Sequence, residues 1–234
     1  MSVNAVFAQP IIRLRLYEEI VSIIQNQILN GTLLPGTKLP PEREMAETFN
    51  VNRTTLREAL RRLENLELLE IRHGDGVYAK NFLESGNLDL IKAAVSLDAS
   101  NETLFNVMEA RLTILPEIAA MAAQRRTAAE LAEIKRAIDR EDINISEKDL
   151  SVHHLIVSAT HNLVYTIMLN FFNQLHRDIG QLYFNDEHNI ERSRRFHHEI
   201  YEAINNRNPE DARRIMQDVL LYAQQAVKTN LAVK

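Results

Sequence analysis

The chain has 234 residues, no cysteine, six glycines, six prolines, 45% hydrophobic and 25% charged residues, and a formal net charge of −5. This is the composition of a folded globular protein rather than a disordered one. The absence of cysteine excludes a disulfide framework, a thiolate zinc site and thiol catalysis, and so few turn-formers argue against an all-β sandwich and for a mainly α fold.

At roughly 150 residues per domain, the length suits one large domain or two modest ones. No apolar run approaches the ~18 residues of a membrane span. The N-terminal stretch MSVNAVFAQPIIRLR lacks a basic region ahead of a long apolar core, so no signal peptide is read there and the expected compartment is the cytoplasm. The charge is unevenly spread. Residues 1–80 carry ten basic and ten acidic side chains, whereas residues 81–234 carry 17 and 22. The acidity belongs to the C-terminal two thirds.

In chain order, Tyr17, Ile20, Val21, Ile24 and Ile28 recur at helical spacing until Gly31, which predicts an amphipathic first helix. Leu34-Pro35-Gly36-Thr37 reads as a turn. Leu39-Pro40-Pro41-Glu42-Arg43 opens a second helix with an apolar face at Met45, Ala46 and Phe49. Asn50-Val51-Asn52 breaks it, and Asn52 is placed to cap a third helix starting near Arg53. On that helix Leu56, Leu60 and Leu63 share one face, and Arg53, Arg57 and Arg61 form a separate row. Leu68–Arg72 and Val77–Ala79 flank His73-Gly74-Asp75-Gly76, the pattern of a β-hairpin.

Three short helices and a hairpin make a winged helix-turn-helix, in which the helix after the tight turn enters the major groove. The residues suit that task. Arg53, Thr54, Thr55 and Arg57 crowd a helix N-terminus, where backbone N–H groups and the dipole favour phosphate. Arginine can fork onto guanine O6 and N7. Arg43 can reach the same groove, and His73 and Gly74 at the wing tip can approach the minor groove or the backbone. Taken alone, the row of Arg53, Arg57, Arg61 and Arg62 would read as a solvated face paired with Glu58 and Glu64; the flanking helix, turn and hairpin reverse that reading.

The stretch GTKLPPEREMAETFNVNRTTLREALRRLENLELLEIRHGDGVYA resembles the DNA-binding domain of the GntR family of bacterial transcription regulators. The matching pieces are Leu39–Glu44, Val51–Leu60 and the Gly74–Tyr78 wing. The resemblance implies that Arg43, Arg53, Thr54, Thr55, Arg57 and Gly74 contact operator DNA. Asn52 and His73 complete the expected DNA-binding set.

Residues 81–87 are expected to link residues 1–80 to an all-α domain over 88–234. Within it the spacing predicts helices over 88–96, 102–124, 128–140, 147–159, 162–184, 189–206 and 209–229. Pro116 is expected to kink or divide the second. Thr127 should cap the third, and Ser146 with Asp149 should form a capping-box-like start to the fourth. Such a bundle is large enough to enclose a small cavity. Asp149 and His153 stand one helical turn apart, so both reach the same side, and His197 lies on a later helix. A carboxylate with imidazoles suits zinc, nickel, manganese or iron rather than calcium, although an Asp–His pair at this spacing is more often a simple surface or capping contact. His154, His161, His176, His188 and His198 are read as ordinary surface or core histidines.

Residues 88–228 resemble the FCD effector domain of the FadR-type branch of GntR regulators. Three patches carry the resemblance: Glu109-Ala110-Arg111 with Pro116-Glu117 and Ala119-Ala120; Asp149 to His153, ending in His161-Asn162; and His197-x-x-Ile200-x-x-Ala203-Ile204 with Asp211-Ala212. The resemblance implies a divalent metal, zinc first, held by Asp149, His153 and His197, and a small carboxylate effector held by Arg111. The fourth metal ligand of that pattern should fall at residue 219, which is Val219. It also implies a homodimer that reads a short pseudo-palindrome of double-stranded DNA, one half-site per subunit, and a repressor's role. Two alternatives remain at this point: a metal-free regulator responsive to acyl-CoA, which Val219 favours, and a metal-dependent enzyme built on the Asp149, His153 and His197 set. The enzyme reading lacks a general base or nucleophile at recognisable spacing, and the expectation is that the chain is not an enzyme.

Overall fold

The computed structural model describes the backbone of residues 13–98 and 100–232 and the side chains of residues 16–98, 100–174 and 183–231. The N-terminal residues 1–12, read above for a leader, and the side chain of His176 lie outside the described residues. The chain divides into two compact units, Met1–Asn101 and Glu102–Lys234. The fold is mainly α, with eleven helices and one two-stranded antiparallel sheet among the described residues.

The first unit contains α1 (Arg13–Leu29), α2 (Glu42–Thr48), α3 (Arg53–Asn65), β1 (Leu69–Arg72), β2 (Gly76–Ala79), α4 (Phe82–Ser85) and α5 (Leu88–Leu97). Asn52 starts α3 as expected: its side chain is in place before the helix and accepts from the Thr55 backbone N–H at 2.8 Å. Asn50, at φ 51°, makes the reversal between α2 and α3; asparagine tolerates the left-handed region better than most residues. One side of α3 is sealed. Leu56, Ala59, Leu60 and Leu63 are fully buried against Ile20, Ile24 and Ile28 of α1, Met45 and Ala46 of α2, and Leu69, Val77 and Ala79 of the hairpin.

The hairpin pairs Leu69 with Ala79 and Arg72 with Gly76. It has a third participant that the sequence pattern concealed. Residues 36–39 run beside β2, with Gly36 N–H donating to the Ala79 carbonyl, Ala79 N–H to that of Thr37, and Leu39 N–H to that of Val77, at 2.8, 2.9 and 2.8 Å. The segment read as a turn thus also anchors the wing to the start of α2. At the tip, Gly74 sits at φ 77° and Gly76 at φ 155°. A Cβ on Gly76 would meet the Lys38 side chain at 2.7 Å, so glycine serves there both for conformation and for space.

The division between units differs from the expected one. Residues 81–101 belong to the first unit rather than to a linker and the helical domain. Ser85 Oγ donates to the Glu67 carbonyl and Asn87 Nδ2 to that of Asn65, each at 2.9 Å, and Leu90 is buried in the same core as α1 and α3. Periodicity showed that α5 had an apolar face but could not show which core would take it.

The second unit holds α6 (Glu102–Arg125), α7 (Ala128–Asp139), α8 (Ile145–Ser158), α9 (Leu163–Tyr183), α10 (Glu187–Asn205) and α11 (Pro209–Ala232). α6 and α11 pack along each other. Ala119, Ala122 and Ala123 on α6 are buried, as are Ala212, Ile215, Met216 and Val219 on α11, and small side chains of this kind let helix axes approach closely. Pro116 neither divides nor ends α6, which runs through it as one helix with Pro116 buried; packing on both sides of the proline outweighs the one backbone hydrogen bond it removes. Thr127 and Glu130 form a full capping box on α7. On α8 the cap is Asn144, whose Oδ1 accepts from Glu147 N–H at 2.9 Å, in place of the expected Ser146 start. At one end of the bundle, arginines close the helix C-termini: Arg126 donates to the Ile204 and Asn205 carbonyls, and Arg207 to those of Gln124 and Arg126.

Asn52→Ala removes the α3 cap and is expected to destabilise the first unit by about 1 kcal/mol, read as a lower urea midpoint with an unchanged slope.

Candidate nucleic-acid interface and buried polar cluster

The face of α3 opposite its leucines carries the predicted readers. Arg53, Thr54 and Arg57 are exposed, as are Arg43 on α2 and His73 and Gly74 at the wing tip. Among the described residues, Arg53 and Arg61 have no acidic partner within 4 Å. Thr55 lies differently from expectation: it is buried, and its hydroxyl donates to Asn52 Oδ1 at 3.1 Å. Position 55 falls on the inner side of α3, next to Leu56, so its work is to reinforce the cap. Asn52 is exposed but commits its carbonyl oxygen to that cap.

Between α2, α3 and the wing lies a concavity of about 1020 Å³, lined among others by Glu42, Arg57, Arg61, Arg72, His73 and Gly74. Acidic residues hold several of its cations in place. Arg57 Nε donates to Glu42 Oε2 at 2.7 Å, so its partner is on α2 and is neither Glu58 nor Glu64. Glu64 instead accepts from Ile71 N–H at 3.2 Å and ties α3 to β1. In the wing, Lys38 Nζ donates to Asp75 Oδ1 at 2.8 Å, Tyr78 OH donates to Asp75 Oδ2 at 2.7 Å, and the Arg72 guanidinium lies 4.2 Å from the Tyr78 ring centroid. Asp75 is the knot of this arrangement, and the sequence alone gave no sign of its role.

In the second unit the three residues assigned to a metal by resemblance do come together, and all three are buried. His197 Nε2 lies 3.0 Å from Asp149 Oδ1, and His153 Nε2 lies 3.7 Å from Asp149 Oδ2. A fourth residue joins them. Ser193, one turn before His197 on α10, is buried and donates from Oγ to Asp149 Oδ1 at 2.8 Å. His153 also stacks on Phe196 at 5.3 Å between centroids. The donor types suit a divalent cation, and each imidazole meets a different oxygen of the Asp149 carboxylate. Among the described residues no group of three or more His, Cys, Asp or Glu side chains is arranged to hold an ion. Val219, at the position of the fourth ligand, is buried on α11.

The charge of Asp149 is felt by two further groups. Burial draws the Arg111 guanidinium below its ordinary pKa, and the Asp149 charge partly offsets this. Burial pushes the Tyr183 phenol well above its ordinary pKa, and Asp149 pushes in the same direction. Tyr183 is 5% exposed, and its hydroxyl has no hydrogen-bond partner among the described residues. Nearby, Asn189 links the Tyr183 carbonyl to the Tyr222 hydroxyl through two 2.8 Å hydrogen bonds. Ser193, Tyr183 and Asn189 escaped the sequence reading because single polar residues on long helices leave no spacing signature. His161, after α8, takes φ 57°. No helix among the described residues is long and apolar enough to cross a membrane.

Residues 16–79 match the bacterial regulatory proteins of the gntR family, and residues 106–221 match the FCD domain. The HTH-type transcriptional regulator Mce2R of Mycobacterium tuberculosis is 34% identical over 174 residues, covering 70% of this chain and 71% of that protein. This chain belongs to the GntR family. It carries the FCD domain behind its winged helix, and it is a DNA-binding transcription regulator. The Uxu operon transcriptional regulator of Escherichia coli is 33% identical over 168 residues, covering 68% of this chain; the chain spans 63% of that relative's length. The galactonate operon transcriptional repressor of E. coli is 27% identical over 209 residues, covering 83% of this chain and 89% of that protein. The solved structure of Lar, described as controlling the agr system of Listeria monocytogenes, aligns with a TM-score of 0.54 at 17% identity over 94% of this chain and 98% of its own, a likeness of fold alone.

The wing knot sets a pH dependence. Hydrogen bonds from Lys38 and then Tyr78 hold the Asp75 carboxyl below its usual 3.8. A group with a depressed folded pKa contributes fully above its ordinary value and loses that contribution as pH falls through the folded one. The Tyr78 ring resonances are therefore expected to stay unchanged from neutral pH down to about 4 and to shift only in more acid solution, whereas Asp75→Asn should show the shifted spectrum at neutral pH.

Proposed function

We propose that this GntR regulator represses an operon in the cytoplasm as a homodimer, with one α3 in each major-groove half-site, and that a small organic acid bound inside its helical unit releases it. The observation that carries the reading is the pairing of two features in one chain. The first unit offers an exposed arginine edge on α3, and the second holds Arg111, whose guanidinium feels the Asp149 charge, together with a buried cluster of Asp149, Ser193, His153 and His197. Arginine, threonine and backbone groups at the start of α3 are suited to phosphate and base edges. The N-terminal unit supplies the salt-dependent attraction, while the net acidity of the rest of the chain keeps the sensor off the phosphates. In the second unit a carboxylate ligand would fork onto Arg111, and its remaining polar atoms would meet Tyr183 and Ser193. An effector works only through a difference in affinity between the DNA-bound and released arrangements.

The polar cluster favours an organic acid over a long acyl chain, since a hydrocarbon tail beside Tyr183 would leave its buried hydroxyl without a polar partner. It also favours a floor held by its own hydrogen bonds over one held by a resident cation. Relatives named as operon regulators support a regulator rather than an enzyme.

Two measurements test this reading. Arg57→Ala is expected to weaken specific operator binding by ~1–3 kcal/mol if it reads a base; an unchanged gel-shift titration contradicts the assignment. In thermal-shift screening against small hydroxy and dicarboxylic acids, binding compounds should raise the melting temperature by mass action, with or without chelator, and Arg111→Ala should abolish the shift. Stoichiometric divalent metal in the purified protein, lost in His153→Ala, would overturn the metal-free floor.

A further inference from the structure

Arg57 is not left to find DNA by itself. Its Nε is bound by Glu42, the first residue of α2, at 2.7 Å. Both side chains line the concavity between α2, α3 and the wing. The Glu42 side chain is about one third exposed and that of Arg57 more than half exposed, so the pair lies at the rim of that groove. An acid on a phosphate-facing surface is unfavourable by plain electrostatics, since each negative charge there repels the DNA backbone.

The geometry points to Glu42 as the positioning residue for Arg57. A guanidinium has five N–H donors in a planar fork. Holding it at Nε restrains the plane and leaves the two Nη groups, the donors a guanine edge needs, uncommitted to Glu42. The carboxylate also removes the rotamer freedom that a long arginine would otherwise lose only on binding, and so lowers the ordering cost of the complex. Arg53 and Arg61, which have no acidic partner within 4 Å among the described residues, keep that freedom and suit the more tolerant work of phosphate contact. Glu42 therefore trades some general attraction for sequence discrimination. This inference rests on the reading that Arg57 faces a base.

The test uses the full-length protein, a duplex selected by the wild-type chain from a randomised pool, and a random-sequence duplex of equal length, with both affinities measured at two salt concentrations. Glu42→Gln keeps the shape of the side chain while removing its charge, and its melting curve reports whether the fold is intact. The expected result is about a tenfold fall in the ratio of specific to non-specific affinity, with non-specific binding unchanged or tighter. In an Arg57→Ala background the same substitution should leave the ratio where Arg57→Ala alone puts it. If Glu42→Gln tightens binding to both duplexes equally, Glu42 is only a repulsive charge and the inference is overturned. If Arg57→Ala itself leaves the ratio unchanged, the base-reading role of Arg57 fails and the inference fails with it. Loss of the ratio in Arg57→Ala but not in Glu42→Gln overturns the inference alone.

Discussion

The burial of Leu56, Leu60 and Leu63 on one side of α3 fixes the position of everything on the other side. Each buried leucine contributes about 1.5–3 kcal/mol, whereas an exposed ion pair such as Arg57–Glu42 contributes about 0–1 kcal/mol. The apolar face therefore decides where the helix lies, and the polar contacts decide only how its side chains are aimed. The Asn52 cap sets where α3 begins. The wing depends on the same core: Leu69, Val77 and Ala79 enter it from the hairpin, and residues 36–39 tie the hairpin back to α2.

The second unit solves an opposite problem. It buries charge rather than presenting it. A buried carboxylate is tolerated only when paired and hydrogen-bonded, and Asp149 meets that condition with Ser193, His197 and His153 grouped around it. Such a cluster is expensive to form and sensitive to any new polar group placed beside it, which suits a sensor better than a purely structural core. The small-residue packing of α6 on α11 and the arginine-closed helix ends provide the rigid frame in which that sensitivity can be expressed.

Much of this was legible in the sequence, for identifiable reasons. The helix-turn-helix was readable because leucine and arginine periodicities run side by side on α3, because Asn52 has the side chain a helix cap needs, and because the wing glycines take backbone angles that favour glycine. The convergence of Asp149, His153 and His197 followed from the family resemblance, not from spacing. Other features needed coordinates. Thr55 looked like a DNA contact because it is polar and stands at a helix start, yet position 55 turns toward the cap. Pro116 looked like a break because tertiary packing cannot be read from a local rule. Ser193 and Tyr183 act through partners 44 residues away or through a long-range charge, and α5 could not be assigned to a core from its own periodicity.

The central claim is that α3 lies in the major groove with its arginine edge toward the bases. Dimethyl sulphate protection on a duplex selected by the protein tests it most directly, because the reagent reports on guanine N7, the major-groove atom an arginine fork covers. The account predicts protected guanines in two clusters about one helical turn apart, with one protection in each cluster lost in Arg57→Ala. Uniform reactivity at guanine N7 in a saturated specific complex would contradict it.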